Sequence, residues 1–151
     1  MTQVPRSLRS EVDEATLDRL VAAVDEAESR TSAEVHVHLV RGLLPLEKPR
    51  TRALRMFRQL RMDQTAERNG VLVFVAMKKR CFEIVADQGI DEKVSPELWA
   101  AVAALISERI DRDGFAEGLS TGILRIGEIL AEHFPGGMDD PNQLPNRPTL
   151  S

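Results

Sequence analysis

Residues 71–77, Val-Leu-Val-Phe-Val-Ala-Met, form an unbroken apolar run within a chain of 151 residues. A strand that is apolar at every position must be covered on both faces, which places this one in the centre of a layered sheet. Lys78-Lys79 then favours a tight turn, and residues 80–86 continue as a second strand with alternating positions. The stretch therefore predicts a β-hairpin built around a buried central strand.

The sequence before the hairpin predicts one strand and two helices. Residues 34–40 alternate apolar and polar side chains, which is typical of a strand with one wetter face. Apolar residues at helical spacing predict a first helix from Asp13 or Thr16 to about Arg30. The same reasoning predicts a second helix from about Arg50 to Met62, between the first strand and the hairpin.

Two further helices follow the hairpin. Ser95-Pro96 is a typical helix start, because serine accepts free backbone donors and proline loses nothing in the first turn. Asp113-Gly114 begins the last helix, which ends before Pro135. The order α-β-α-β-β-α-α predicts an α/β fold with three layers, α/β/α. Its small mixed sheet combines a parallel β-α-β crossover with the β-hairpin, and about four helices cover it.

Composition and charge limit the class of protein. The net charge of −4 and the isoelectric point of about 5.4 argue against a general binder of nucleic acid or anionic membranes. The single cysteine, Cys81, allows no intramolecular disulfide and favours a cytoplasmic location. We expect a flexible N-terminus without a signal peptide over residues 1–12, a domain over 13–135, and a Pro-rich tail over 136–151. We expect no membrane span, because a run such as 71–77 is too short for one.

The hairpin register brings polar loops to one edge of the sheet. With Lys78-Lys79 as the turn, Gly70 lies opposite Asp87, and the start of the parallel first strand lies at the same edge. Loops of this kind supply the oxygen ligands that Ca²⁺ and Mg²⁺ need, and glycines let a backbone approach a ligand closely. Ordinary turn chemistry explains the same residue types and is the alternative. The candidate ligand-binding residues are Ser32, Arg68, Asn69, Gly70 and Gly89.

Three segments at this edge resemble the TPM domain, a family that includes thylakoid acid phosphatase, photosystem-repair proteins and an acetylcholine-receptor modulator. They are Arg-Thr-Ser-Ala-Glu at 30–34, Glu-Arg-Asn-Gly-Val-Leu-Val at 67–73, and Asp-Gln-Gly-Ile-Asp-Glu-Lys-Val at 87–94. The likeness covers about residues 13–145 and is greatest to a short cytosolic bacterial branch. Members of that branch are often encoded beside a LemA-type protein and a longer TPM protein, so the resemblance implies a partner of that kind.

The resemblance also bears on a cofactor. Longer TPM proteins typically carry Asp-Asn-Gly at the start of the second strand and bind a divalent ion there, whereas this chain has Arg-Asn-Gly at 68–70. An arginine repels a cation and favours a phosphate or a carboxylate. Either Asp87, Asp91 and Glu92 hold Ca²⁺ or Mg²⁺ by themselves, or this branch has lost the ion.

Two functional hypotheses follow from the resemblance. The first is a TPM module that binds an ion or a small ligand and acts with envelope-associated partners. The alternative is a divalent-metal-assisted acid phosphatase that hydrolyses phosphomonoesters. In that case Asp87, Asp91 and Glu92 would hold the metal, and Arg68 would neutralise the charge of the phosphate.

Two histidines and a group of arginines are further candidates. His36 and His38 share one strand face, but no third metal ligand is apparent, so we expect an ordinary half-buried face. A spacing of three predicts a stripe of cations along the second helix. This stripe is either a solvated face or a surface for peripheral contact with an acidic partner or lipid headgroups. Its members are Arg52, Arg55, Arg58 and Arg61.

Overall fold

The computed structural model describes residues 12–136 and 146–151. Within these ranges the chain forms five α-helices, one 3₁₀ turn and four strands. In chain order they are α1 (Glu14–Glu28), β1 (Glu34–Val40), α2 (Pro49–Gln59), the 3₁₀ turn (Met62–Gln64), β2 (Gly70–Ala76), β3 (Cys81–Ala86), α3 (Gln88–Asp91), α4 (Pro96–Asp113), α5 (Phe115–His133) and β4 (Thr149–Leu150).

The sheet has the order β3-β2-β1-β4. β1 is parallel to β2 and to β4, and β2 is antiparallel to β3. The hairpin connection contains four residues, 77–80, rather than the expected pair Lys78-Lys79. The register is nevertheless the predicted one, because Val71 pairs with Ala86 and Asp87 N–H donates to Gly70 O at 2.9 Å. The mixed sheet with its parallel crossover and hairpin is therefore confirmed.

Helices cover both faces of this sheet. The larger core lies between one face and helices α1, α4 and α5, where residues such as Leu20, Val73 and Ile123 are fully buried. A smaller core lies on the other face, where α2 contributes Ala53 and Phe57. The predicted three-layer α/β/α architecture is confirmed.

Close helix packing explains two glycines of α5. A Cβ atom at Gly118 would lie 2.4 Å from Ile110 N, and one at Gly122 would lie 2.2 Å from Ile106 Cγ1. Larger side chains would therefore push α5 away from α4. The spacing of these glycines serves contact between helices of the same domain.

Several local predictions differ from the structure. The second helix ends at Gln59 rather than Met62, and Arg61 then adopts a φ of 58° before the 3₁₀ turn. The one-turn helix α3 and the strand β4 were not predicted. Val12, assigned to the flexible N-terminus, is fully buried in the larger core. Most of that N-terminus, residues 1–11, and part of the predicted tail, 137–145, lie outside the described residues.

The described end of the tail is part of the fold. β4 pairs with His38 and Leu39 of β1, and Leu150 packs against the larger core. Arg147 forms an ion pair with Glu14 at 2.8 Å.

None of the helices within the described ranges is long and apolar enough to cross a membrane.

Candidate functional site

Polar side chains from three loops meet where β1 and β2 begin and β3 ends. We name this group, formed by Ser32, Glu67, Arg68, Asn69 and Asp87, the polar edge. The parallel pairing of Glu34 with Gly70 sets the first two loops side by side. The antiparallel hairpin returns the chain to the same edge, where Asp87 follows β3. The convergence predicted from the hairpin register is thus observed for these residues.

Arg68 and Asp87 form a two-pronged ion pair at the polar edge. Arg68 Nε donates to Asp87 Oδ2 at 2.6 Å, and Nη2 donates to Oδ1 at 2.8 Å. The Asp87 side chain is only 6% exposed, whereas that of Arg68 is 40% exposed. Hydrogen bonding to Asp87 and the negative charge of Asp87 raise the pKa of Arg68 above its usual value. The pair therefore holds a buried carboxylate with fixed geometry and neutralises its charge.

The backbone beneath this pair is closely packed. Gly89 N–H donates to Arg68 O at 2.9 Å, and a Cβ atom at Gly89 would lie 2.5 Å from Glu67 O. Asp87 is also the N-cap residue of α3, and its side chain accepts a hydrogen bond from Gln88 N–H at 2.8 Å. Gly70 allows a similar approach, since a Cβ atom there would lie 2.8 Å from Met62 O. The two glycines predicted as ligand-binding residues therefore allow close packing of protein segments at this edge.

A second polar group adjoins the ion pair. Ser32 Oγ donates to Glu67 Oε2 at 2.7 Å, and Asn69 Nδ2 donates to the same oxygen at 3.1 Å. Asn69 is buried, and its own N–H donates to Thr65 Oγ1 at 3.1 Å, so its position is fixed by the loop. Glu67 is exposed. This arrangement offers a ligand a carboxylate and a hydroxyl group on a rigid base.

The expected cation ligands do not assemble into a metal-binding group. Both oxygens of Asp87 are engaged by Arg68, and one of them also by Gln88 N–H. Asp91 and Glu92 are exposed at the end of α3. Partial desolvation of the carboxyl group and the charge of Asp87 raise the pKa of Asp91, whereas the charge of Arg50 lowers it. Among the described residues no group of three or more His, Cys, Asp or Glu side chains could hold a metal ion. As arranged, these carboxylates do not fit Ca²⁺ or Mg²⁺ unless Arg68 moves.

The two histidines of β1 hold the end of the chain. His38 Nδ1 lies 2.6 Å from Thr149 Oγ1, and His38 Nε2 lies 2.7 Å from Ser151 Oγ. His36 Nε2 lies 2.9 Å from the same threonine hydroxyl. Both histidines are buried rather than half-buried, and burial lowers the pKa of His38 to about 4. Their role in the structure is to anchor β4, and nothing in the separate histidine and threonine segments of the sequence indicated this pairing.

The predicted arginine stripe is interrupted. Glu47 accepts hydrogen bonds from Arg52 at 2.7 Å and 2.8 Å and from Arg55 at 3.1 Å. Arg61 lies beyond the end of α2, so a helical spacing no longer relates it to the other three. Arg58 and Arg61 are exposed, and Arg55 retains 55% exposure of its side chain. The local charge is smaller than the sequence indicated.

The fold and the polar edge define a class of small α/β/α domains whose polar loops meet at the start of a parallel strand pair. The sequence signature of the TPM domain matches residues 11–129, and the chain belongs to the TPM domain family. No curated protein sequence gives a significant match.

Solved structures share this fold. The chain is similar to the BA42 protein of the psychrophilic bacterium Bizionia argentinensis, with 34% identity over 93% of this chain and 95% of that one, and a TM-score of 0.84. It is also similar in fold to the N-terminal domain of a P. gingivalis protein, with 19% identity, coverage of 82% and 80%, and a TM-score of 0.66. The N-terminal domain of the cg2496 protein of Corynebacterium glutamicum gives 10% identity, coverage of 95% and 93%, and a TM-score of 0.61.

Proposed function

We propose that this TPM domain is an interaction module that binds a small polar ligand or an ion at the polar edge and acts with an envelope-associated partner from the cytoplasm. The observation that carries the proposal is the two-pronged pair of Arg68 with the buried carboxylate of Asp87. It leaves the edge ordered and its buried charge neutralised, which suits recognition better than proton transfer. The neighbouring hydroxyl and carboxylate of Ser32 and Glu67 supply further contacts for a ligand.

An ion and Arg68 compete for Asp87 in this proposal. A carboxylate whose two oxygens bond a guanidinium has little capacity left for Ca²⁺ or Mg²⁺. Replacing Arg68 by asparagine removes the competitor and keeps a residue that tolerates the φ of 52° observed there. Cation binding should therefore strengthen in Arg68→Asn and be lost when Asp87→Asn is added.

Thermal melts of the chelated protein, with and without millimolar Ca²⁺ or Mg²⁺, test this competition. A ligand at about a hundred times its Kd stabilises the native state by about 2.7 kcal/mol, or roughly 5–10 °C for a domain of this size. We expect a small shift for the native chain, a larger one for Arg68→Asn, and none for the double variant. An Arg68→Asn variant that responds no more strongly than the native chain would remove ion binding from the proposal.

The partner is proposed to be a LemA-type protein or a longer TPM protein. The exposed side chains of Arg55, Arg58 and Arg61 support an electrostatic contribution to that contact. Pull-downs with a soluble domain of each partner should weaken at moderate salt and in Arg58→Glu/Arg61→Glu. If neither moderate salt nor Arg58→Glu/Arg61→Glu weakens binding, the contact lies elsewhere on the domain.

A metal-assisted acid phosphatase is the second candidate. The observation that favours it is the 2.7 Å hydrogen bond from Ser32 Oγ to Glu67, which pairs a hydroxyl group with a carboxylate. Turnover of p-nitrophenyl phosphate at acid pH, with and without Mg²⁺, should then fall in both Ser32→Ala and Glu67→Gln. Turnover by the native chain that does not exceed the turnover of a Ser32→Ala/Glu67→Gln double variant would exclude this candidate.

A further inference from the structure

The two outer edges of the sheet differ in how they are covered. On the outer side of β1, Glu28 Oε2 accepts a hydrogen bond from Val35 N–H at 2.8 Å, and the two-residue strand β4 pairs with His38 and Leu39. β3 is the last strand at the opposite edge. Arg50 Nη1 donates to Ile84 O at 2.7 Å there. Within the described residues, no strand pairs with the outer side of β3.

The register shows which backbone groups of β3 face outwards. Asp87 N–H bonds to Gly70 O, so Asp87 and every second residue before it direct their N–H and C=O groups towards β2. The residues between them direct these groups away from the sheet, as the hydrogen bond of Arg50 to Ile84 O confirms. The outward-facing positions are Phe82, Ile84 and Ala86.

A groove runs beside these outward-facing groups. It has a volume of about 550 Å³ and lies between β3 and α4. Phe82, Ile84 and Ala86 form one wall, and Trp99, Ala100 and Ala103 form part of the other. A smaller hollow of about 110 Å³ also borders Phe82, next to Phe115. An edge with outward-facing backbone groups, beside hollows that are lined in part by apolar side chains, has the features of a site for strand addition.

We propose that this groove binds an extended peptide segment of a partner protein, which adds to β3 as a further strand. Alternate side chains of such a strand point to the same face, so its apolar residues would enter the groove. Its backbone would pair with Phe82, Ile84 and Ala86 and would displace Arg50 from Ile84 O. The rim carries the carboxylates of Glu83 and Asp91. Arg50 lies 3.6 Å from Glu83, so its displacement would leave both carboxylates available to basic residues beside the apolar ones. The groove is separate from the polar edge, and either proposal can fail without the other.

A peptide selection tests the proposal. Twelve-residue peptides from a random display library would be selected on the immobilised chain, and the strongest binder would be synthesised with a second version methylated on alternate backbone nitrogens. The chain contains one tryptophan, and Trp99 lines the groove, so its fluorescence reports binding directly. We expect a saturable change with the first peptide and at least a tenfold weaker affinity with the methylated one.

Hydrogen exchange and a matched pair of variants locate the bound peptide. The amides of Phe82, Ile84 and Ala86 should gain protection on binding. Ala103→Arg should fill the groove and abolish binding, whereas Ala101→Arg, an exposed position of α4 outside the groove, should not. Equal affinity for the plain and methylated peptides, or protection confined to other residues, would overturn the proposal. Protection of the β3 amides that rises with protein concentration alone would assign the edge to a second copy instead and overturn it too.

Discussion

The carboxyl group of Glu28 makes the stability of the domain depend on pH. Its pKa is raised from 4.5 to about 8, chiefly by burial and also by the charges of Glu34 and Asp25, while the hydrogen bond from Val35 N–H opposes this shift. The folded state therefore holds this proton more tightly than the unfolded chain does. The resulting stabilisation is complete below pH 4.5 and is lost as the pH rises to about 8. At 1.36 kcal/mol for each pKa unit, the whole loss is about 5 kcal/mol.

The substitution Glu28→Gln isolates this effect. Glutamine keeps an oxygen that can accept from Val35 N–H and carries no charge at any pH. We expect the variant to match the native chain within about 1 kcal/mol at pH 5 and to be more stable by about 5 kcal/mol at pH 9. Urea denaturation at both pH values measures the difference, with Glu26→Gln, an exposed position of the same helix, as the control. A difference between Glu28→Gln and the native chain that stays the same at both pH values would refute the reasoning.

Three further predictions concern the polar edge and the histidine anchor. In a double-mutant cycle of Arg68→Ala and Asp87→Asn measured by urea denaturation, the double variant should lose less stability than the sum of the two single losses, because either substitution removes the charge pairing of these side chains. Gly89→Ala should lower stability by about 2–4 kcal/mol, because its Cβ atom would lie 2.5 Å from a backbone oxygen that cannot easily move. Burial lowers the pKa of His38 from 6.5 to about 4, so its stabilising effect should be lost as the pH falls through this range, and an NMR titration should find its ring neutral at pH 5.5.

Each of these predictions has a result that contradicts it. Losses of stability that simply add in the double variant would mean that water replaces the ion pair at no cost. An unchanged melting temperature in Gly89→Ala would show that α3 can move away from the loop beneath it. A His38 ring that titrates near pH 6.5 in the folded protein would show that the imidazole is open to water.

The sequence was most informative about the hairpin. The unbroken apolar run at 71–77 and the paired lysines after it were sufficient to place Gly70 opposite Asp87. The same register could have indicated the ion pair, because opposite charges at positions 68 and 87 come to one edge. From the sequence, Arg68 was interpreted only as opposing a cation or favouring a bound phosphate or carboxylate. The pairing of these two side chains was therefore missed although its signal was present.

Other features left too little signal in the sequence. A strand of two residues, such as Thr149–Leu150, shows no alternation, and its position depends on histidines more than a hundred residues away. The single turn of α3 is too short for helical periodicity. The end of α2 was misjudged because the apolar spacing continues through Met62, although the chain turns into a left-handed conformation at Arg61. In each case contacts made by the folded domain, rather than local preference, decide the conformation.

The anchoring of β4 also has a consequence for the order of folding. His38 and Thr149 are 111 residues apart, and closing a loop of that length directly costs about 4 kcal/mol of chain entropy. Docking of α5 brings Phe134 beside Ser32, whose N–H donates to the carbonyl oxygen of Phe134. Only about a dozen positions of the sequence then separate Phe134 from position 146. The remaining closure is cheaper by about 2 kcal/mol. β4 should therefore join the sheet only after α5 has packed, and its amides should be among the first to exchange in the native protein.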